Sequence, residues 1–333
     1  MNLSPAKDSV TLLIVSDIHF AGATEQARGS DYELVAIRKP FTRALARAYR
    51  HHIWMRDPFA RSPQFERFLA TAPVPDLTVV NGDYTADTAF IGLGDPAARA
   101  SAAECLEKLA KKFGPNLHLV IGDHETGKQT MFSGSGGMRL ASWRATMELG
   151  LTPFWRVDVG NYVLLAVASP LLALASNRGD TLPDEWPEWE RLRAAHLEAV
   201  RAGFAAVPSD RRILFFCHDP TALPYLAQEE TVRSRLGQIE HTIIGHLHSN
   251  LILTKSRLLS GVPPIGFLGR NVKKFTAALS KARSWKPFKI KLCPALAGIE
   301  LLNDGGYFTV QLDLTGKRKA EFTFHPLPRE HAP

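Results

Sequence analysis

The sequence predicts an α/β fold, and three observations carry that prediction. Short apolar runs alternate with helical stretches along most of the 333 residues. Five of those runs end in a small motif rich in Gly, Asp and His. The runs are continuous rather than alternating, as expected of strands buried on both faces. They cover residues 10–15, 77–80, 117–121, 213–217 and 242–244. The motifs after them are Asp17-Ile18-His19, Gly82-Asp83, Gly122-Asp123-His124-Glu125, His218-Asp219 and Gly245-His246-Leu247-His248. Ligands gather at strand ends in α/β sheets, because the loops there project side chains into one crevice. Seven Asp and His side chains are thereby expected to converge from distant parts of the chain, the inventory of a two-metal hydrolytic site.

The elements follow in order. Residues 97–113 have helical spacing and stop at Gly114-Pro115. Residues 161–168 read as a further apolar strand. Residues 188–206 form an amphipathic helix with Trp189, Leu192, Ala199 and Phe204 broadly on one side. Residues 307–314 and 319–324, around a turn containing Thr315-Gly316-Lys317, read as a closing hairpin. No internal repeat or low-complexity tract is present.

Two segments read as additions to this core, an insertion over residues 20–76 and a basic elaboration over 251–299. The whole chain, 1–333, is otherwise one domain. In the insertion, Phe41, Leu45, Tyr49 and Ile53 recur every four residues among Arg43, Arg47 and Arg50. In the elaboration, Val272, Phe275 and Leu279 share a helical face, and Trp285, Phe288 and Ile290 alternate with lysines. Either each is a helix packed on the core with a solvated basic back, or the pair forms basic-aromatic lids over the site or a peripheral membrane contact.

Charge supports an anionic partner. The net charge is +7, yet residues 251–299 hold ten basic and no acidic side chains, which leaves −3 on the rest. Residues 38–67 carry eight Arg or Lys against Asp57 and Glu66. Lipid headgroups, nucleic acid or a polyanionic substrate fit that asymmetry. Cys105, Cys217 and Cys293 are odd in number and form no CxxC motif, which suits a reducing, cytoplasmic compartment. The first residues lack the charged-then-apolar order of a signal peptide, and no apolar run reaches the length of a membrane span. The expected location is cytoplasmic, peripherally on the inner face of a membrane.

The ordered set DxH, GD, G-N-H-[DE], H and GHxH resembles the signature of the calcineurin-like metallophosphoesterases, with one substitution, Asp123 in place of Asn. The resemblance implies a four-layer αββα sandwich, here with basic helical insertions. It implies two divalent ions, manganese first and iron, zinc or cobalt next, since mixed carboxylate and imidazole donors suit these better than magnesium or calcium. It implies that Asp17, His19 and His248 bind the first ion and that Asp83 bridges both. His218, His246 and Asp123 would bind the second. It gives His124 contact with the phosphoryl group or protonation of the leaving oxygen, and Glu125 the orientation of that ring. Gly82, Gly122 and Gly245 would allow the sharp turns after the strands. His51, His52, His118, His196 and His241 match no motif, and Asp87, Asp95 and Asp219 fall outside the ligand set. Asn81 reads equally as a substrate contact and as a turn residue.

Asp at position 123 adds an anion and removes an NH2 donor. Metal binding should tighten and phosphate binding weaken. A variant that still turns over, one with altered metal preference, and a change made to trap a complex all fit; the intact His124-Glu125 pair favours retained chemistry. The function expected is a dinuclear metal-dependent phosphoester hydrolase, a phosphodiesterase or pyrophosphatase acting on a lipid-linked or otherwise amphipathic substrate. In combining these motifs with a basic, apolar elaboration the chain is similar to UDP-2,3-diacylglucosamine hydrolases. A nuclease or soluble phosphomonoesterase is the alternative, and a metal-bound scaffold without catalysis stands behind both.

Overall fold

The computed structural model describes residues 8–86, 90–128, 136–249, 282–299 and 302–327. The strands are Ser9–Val15 (β1), Leu77–Val80 (β2), Leu117–Leu119 (β3), Phe154–Val159 (β4), Tyr162–Val167 (β5), Arg212–Cys217 (β6), Ile239–Ile244 (β7), Ile290–Leu292 (β8), Gly306–Asp313 (β9) and Glu321–Pro326 (β10). They form two five-stranded sheets, ordered β10-β9-β1-β2-β3 and β4-β5-β6-β7-β8. In the first, β1, β2 and β3 are parallel, and the C-terminal hairpin adds antiparallel through β9 on β1. In the second, β5 to β8 are parallel and β4 lies antiparallel at the edge.

Side-chain alternation builds the layers. Leu12 and Ile14 of β1 meet Leu164 and Ala166 of β5 and Phe216 of β6 in one buried cluster between the sheets. Leu13 and Val15, one residue out of phase, face the other way and pack under Phe65, Phe68, Cys105, Leu109 and Trp143. Those residues belong to helices Arg61–Thr71 (α2), Pro96–Phe113 (α3) and Leu140–Glu148 (α4); helix α1, Pro40–Tyr49, precedes them. On the second sheet, Leu165, Val167, Phe215 and Cys217 pack outward against Val200 and Phe204 of Trp186–Ala205 (α5). Helix, sheet, sheet, helix is the sandwich the sequence predicts.

Asp95, outside the expected ligand set, caps α3: its Oδ1 accepts from the amides of Ala97 and Ala98 at 2.9 and 3.2 Å. Strand β4 escapes a pattern reading because the run Phe-Trp-Arg-Val-Asp-Val is mixed, as an edge strand can be.

The two additions divide between the two readings. Helix α1 buries Ala46 against Leu34 and Ile37 in a small separate cluster. Phe41, Leu45 and Ile53 therefore point outward and are exposed, while Tyr49 is half-buried. Of the basic elaboration, residues 251–281, with Val272, Phe275 and Leu279, lie outside the described residues. Its described part is sandwich rather than lid: Trp285 and Phe288 are buried in the outer core of the second sheet, and β8 completes that sheet.

One further segment matters for the site. After β8, the amide of Cys293 donates to Ile244 O and that of Ala295 to His248 O, both beside the second sheet. The next amide, Leu296, donates to Ser16 O at the end of β1 in the first sheet, at 3.1 Å. Residues 293–296 thus tie the ends of the two sheets together where the motifs emerge.

Candidate metal centre

Every motif leaves its strand at the same edge of the sandwich, and the turns are tight. Asp17, His19, Asp83, His246 and His248 all sit at φ between 51° and 61°, in the left-handed region that side chains other than glycine rarely enter. Gly82 has φ +91°, and a Cβ there would lie 2.7 Å from His218 Nδ1 and 2.9 Å from the Gly122 backbone. Gly122 is glycine for space rather than for φ, since a Cβ would strike the Asp83 carboxylate.

Two groups of donors result. Ligand atoms of Asp17, His19, Asp83 and His248 lie within 4.8 Å of one another, and so do those of Asp83, Asp123, His218 and His246. Asp83 belongs to both. Within the first group the Nε2 atoms of His19 and His248 face each other at 3.3 Å, and His248 Nε2 is 3.2 Å from Asp17 Oδ1. Within the second, Asp83 Oδ2 is 3.0 Å from His218 Nε2, and Asp123 Oδ1 is 2.9 Å from His246 Nδ1 and 3.3 Å from His218 Nε2.

The surrounding hydrogen bonds select the tautomers that ligation needs. His218 Nδ1 lies 2.5 Å from Asn81 O, and His19 Nδ1 lies 3.1 Å from Thr85 O. Each ring therefore gives its proton to a carbonyl and turns a bare Nε2 inward. Asp83 Oδ2 and His218 Nε2 are buried and have no hydrogen-bond partner outside the donor set. Converging lone pairs of this kind fit a pair of divalent cations.

Electrostatics point the same way. Burial pushes Asp17 up to about 6, with Asp83 adding to it against the nearby histidines. Burial pulls the His218 imidazole down, but Asp83 and Asp17 outweigh it and hold the pKa well above 6.5. Burial acts on His246 too, yet the Asp123 charge raises it to about 10. Three carboxylates in one buried pocket draw protons onto its imidazoles, and a cation offsets the same negative charge.

His124 lies on the short helical turn Asp123–Thr126, its ring 4.6 Å from that of His19 and its Nε2 3.9 Å from Asp83 Oδ2. Glu125 does not have the partners that ring orientation requires. Its Oε2 accepts from the amides of Gly122 and Asp83 at 2.7 and 3.1 Å, and its Oε1 from Tyr84 at 2.8 Å. It clamps the Gly82-Asp83 turn onto the Gly122 turn. Asn81 acts through its backbone oxygen, which takes His218 Nδ1 and the Ser16 hydroxyl.

Of the residues outside the set, His196 is buried in α5, His118 stacks near Trp155, and Asp219 accepts from the amide and hydroxyl of Thr221. Asp87 lies outside the described residues. The site opens on the Asp123 and His246 side, 16% and 35% exposed, while the other five donors are buried. Trp54, which no motif announces, lays its ring 4.5 Å from that of His248, tilted by 36°.

A family model for calcineurin-like phosphoesterases matches residues 10–250. The chain belongs to that family. It is a metal-dependent phosphoester hydrolase. No curated protein matches it. Among solved structures, this phosphoesterase is similar to phosphopantetheinyl hydrolase (PptH) from Mycobacterium tuberculosis, at 16% identity and TM-score 0.35, over 72% of this chain and 83% of that one. It is also similar to purple acid phosphatase PPD1 from yellow lupin (Lupinus luteus) seeds, at 10% identity and TM-score 0.46, over 96% of this chain and 52% of that one.

Proposed function

We propose that this phosphoesterase is a dinuclear hydrolase of phosphodiesters or pyrophosphates that carry an apolar group, with manganese as its metal. The observation that carries the reading is the pair of four-residue donor groups sharing Asp83. Asp17, His19 and His248 with Asp83 would hold one ion, and Asp123, His218 and His246 with Asp83 the other. Two such ions supply Lewis acidity, activating a water nucleophile and screening phosphoryl charge. His124 holds the proton that the leaving oxygen needs. Glu125 fixes the turns that carry Asp83 and His124. Asp123 and His246, at the open side, meet the incoming ester first. Phe41, Leu45 and Ile53 are exposed on the segment that leads to Trp54, whose ring lies 4.5 Å from that of His248. That aliphatic and phenyl surface favours an amphipathic ester, such as a lipid-linked one, over a nucleic acid, which would use stacked aromatics along a cationic groove.

The test is manganese-supplemented hydrolysis of bis-p-nitrophenyl phosphate and p-nitrophenyl phosphate, with Asp123→Asn alongside. Turnover of the diester above the monoester by the unaltered chain is expected. Asp123→Asn should strengthen inhibition by inorganic phosphate about tenfold, by replacing a repelling charge with a donor. Protein holding two manganese ions per chain and cleaving neither ester overturns the reading.

A further inference from the structure

The outward ridge of the insertion has no counterpart in the hydrolytic chemistry. Phe41 is 82% exposed, Leu45 52% and Ile53 40%, on one line along α1 and its continuation. Val35, just before α1, is 72% exposed. These four are half of the eight large exposed hydrophobics among the described residues, gathered within one short segment. Isolated exposed apolar side chains need no explanation, but a contiguous set does.

Cations surround the ridge. Arg38, Lys39, Arg47 and Arg56 are exposed along it. Beside it a cavity of about 190 Å³ is lined in part by Arg47, Arg50, His51 and Arg56. Asp31 lies on its wall and pairs with Arg47 at 2.6 Å, and Glu33 approaches Arg50 at 3.7 Å. Over residues 31–57 as a whole, Arg38, Lys39, Arg43, Arg47, Arg50 and Arg56 outnumber Asp31, Glu33 and Asp57, which leaves the segment cationic.

The ridge also runs straight into the active site. After α1 the chain widens into a π-helical turn, Arg50–Trp54, a device common at functional sites. Ile53 ends the ridge, and the next residue is Trp54, whose ring lies on His248.

We propose that this face, Val35, Phe41, Leu45 and Ile53 with the Arg47, Arg50 and Arg56 cleft, seats on an anionic lipid surface. Apolar side chains enter the interface, and the cleft receives headgroup phosphates. No helix among the described residues is long and apolar enough to cross a membrane. The inference deepens the reading of an amphipathic substrate and rests on it: a molecule leaving the lipid along the ridge arrives at Trp54 and the metal donors.

The test is co-sedimentation of the full chain with vesicles of phosphatidylglycerol and phosphatidylcholine, and of phosphatidylcholine alone. Binding to the anionic vesicles only, weakened by salt, is expected. Phe41→Glu with Leu45→Glu should lower partitioning at least about tenfold. Val35→Glu is an independent second variant, and all of these positions are exposed enough for the fold to persist. Equal binding by wild type and variants overturns the proposal, as does absence of anionic-vesicle binding. A dimer in sedimentation equilibrium that Phe41→Glu abolishes, without vesicle binding, assigns the ridge to a second copy instead. Hydrolysis of the soluble diester, measured without vesicles, should be unchanged in Val35→Glu. Loss of hydrolysis with vesicle binding intact sinks the functional reading and not the docking surface; the reverse result sinks only the surface.

Discussion

His124 and Glu125 are neighbours with different work. Both oxygens of Glu125 are taken by backbone amides, so its carboxylate shapes the turns. His124 touches Asp83 through its own amide, which donates to Asp83 Oδ1 at 3.1 Å, while its ring reaches toward the donor groups. Removing that imidazole should therefore leave the donor set standing. His124→Asn is expected to lower kcat by about 10²–10⁴, the range for losing a general acid, with two metals still bound per chain by atomic absorption. Metal content falling in step with kcat would make His124 a ligand-shell residue and defeat the assignment.

At the scale of elements, the strands were legible because buried parallel strands declare themselves as uninterrupted apolar runs, and the donor set because its motifs hang from the ends of those runs. Strands β4 and β8 were not, since edge strands carry Arg156, Asp158 and Lys291 as readily as apolar residues. Nor was the outward turn of α1. Its spacing predicts a ridge but not which side of the helix finds a neighbour, and small Ala46 won that side through contacts with Leu34 and Ile37. Trp54 and residues 293–296 escaped for a related reason: their partners, His248 and Ser16, are fixed only by tertiary packing. The turn after β2 is the element most sensitive to change. Gly82→Ala combines a forbidden φ with a Cβ driven toward His218 and Gly122. A loss of at least about 3 kcal/mol by denaturant unfolding is expected, with metal binding lost as well. A variant of native stability would mean the turn can relax.

Across the whole molecule, stability carries an acid sensitivity away from the metal donors, and His196 is one source of it. His196 of α5 is buried, neither ring nitrogen has a hydrogen-bond partner, and burial lowers its pKa from 6.5 to about 4. Between those values the unfolded chain binds a proton that the fold refuses. Stability should therefore fall as pH drops from about 6.5 to 4, by about 3 kcal/mol, and no further from this source. His196→Leu should flatten that part of the profile in chemical denaturation across pH. An unchanged slope would place the sensitivity elsewhere. The left-handed turns bear on the molecule at the same scale. Five donors each held at φ near +55° carry strain of about 1–2 kcal/mol apiece. The total, roughly 5–10 kcal/mol, is comparable with the net stability of an entire domain. Mutational drift would then run downhill here. Any of the five replaced by glycine relaxes the backbone, and a chain released from its chemistry would gain robustness by shedding these side chains. The five side chains are thus held at a cost in stability that glycine at the same places would not carry.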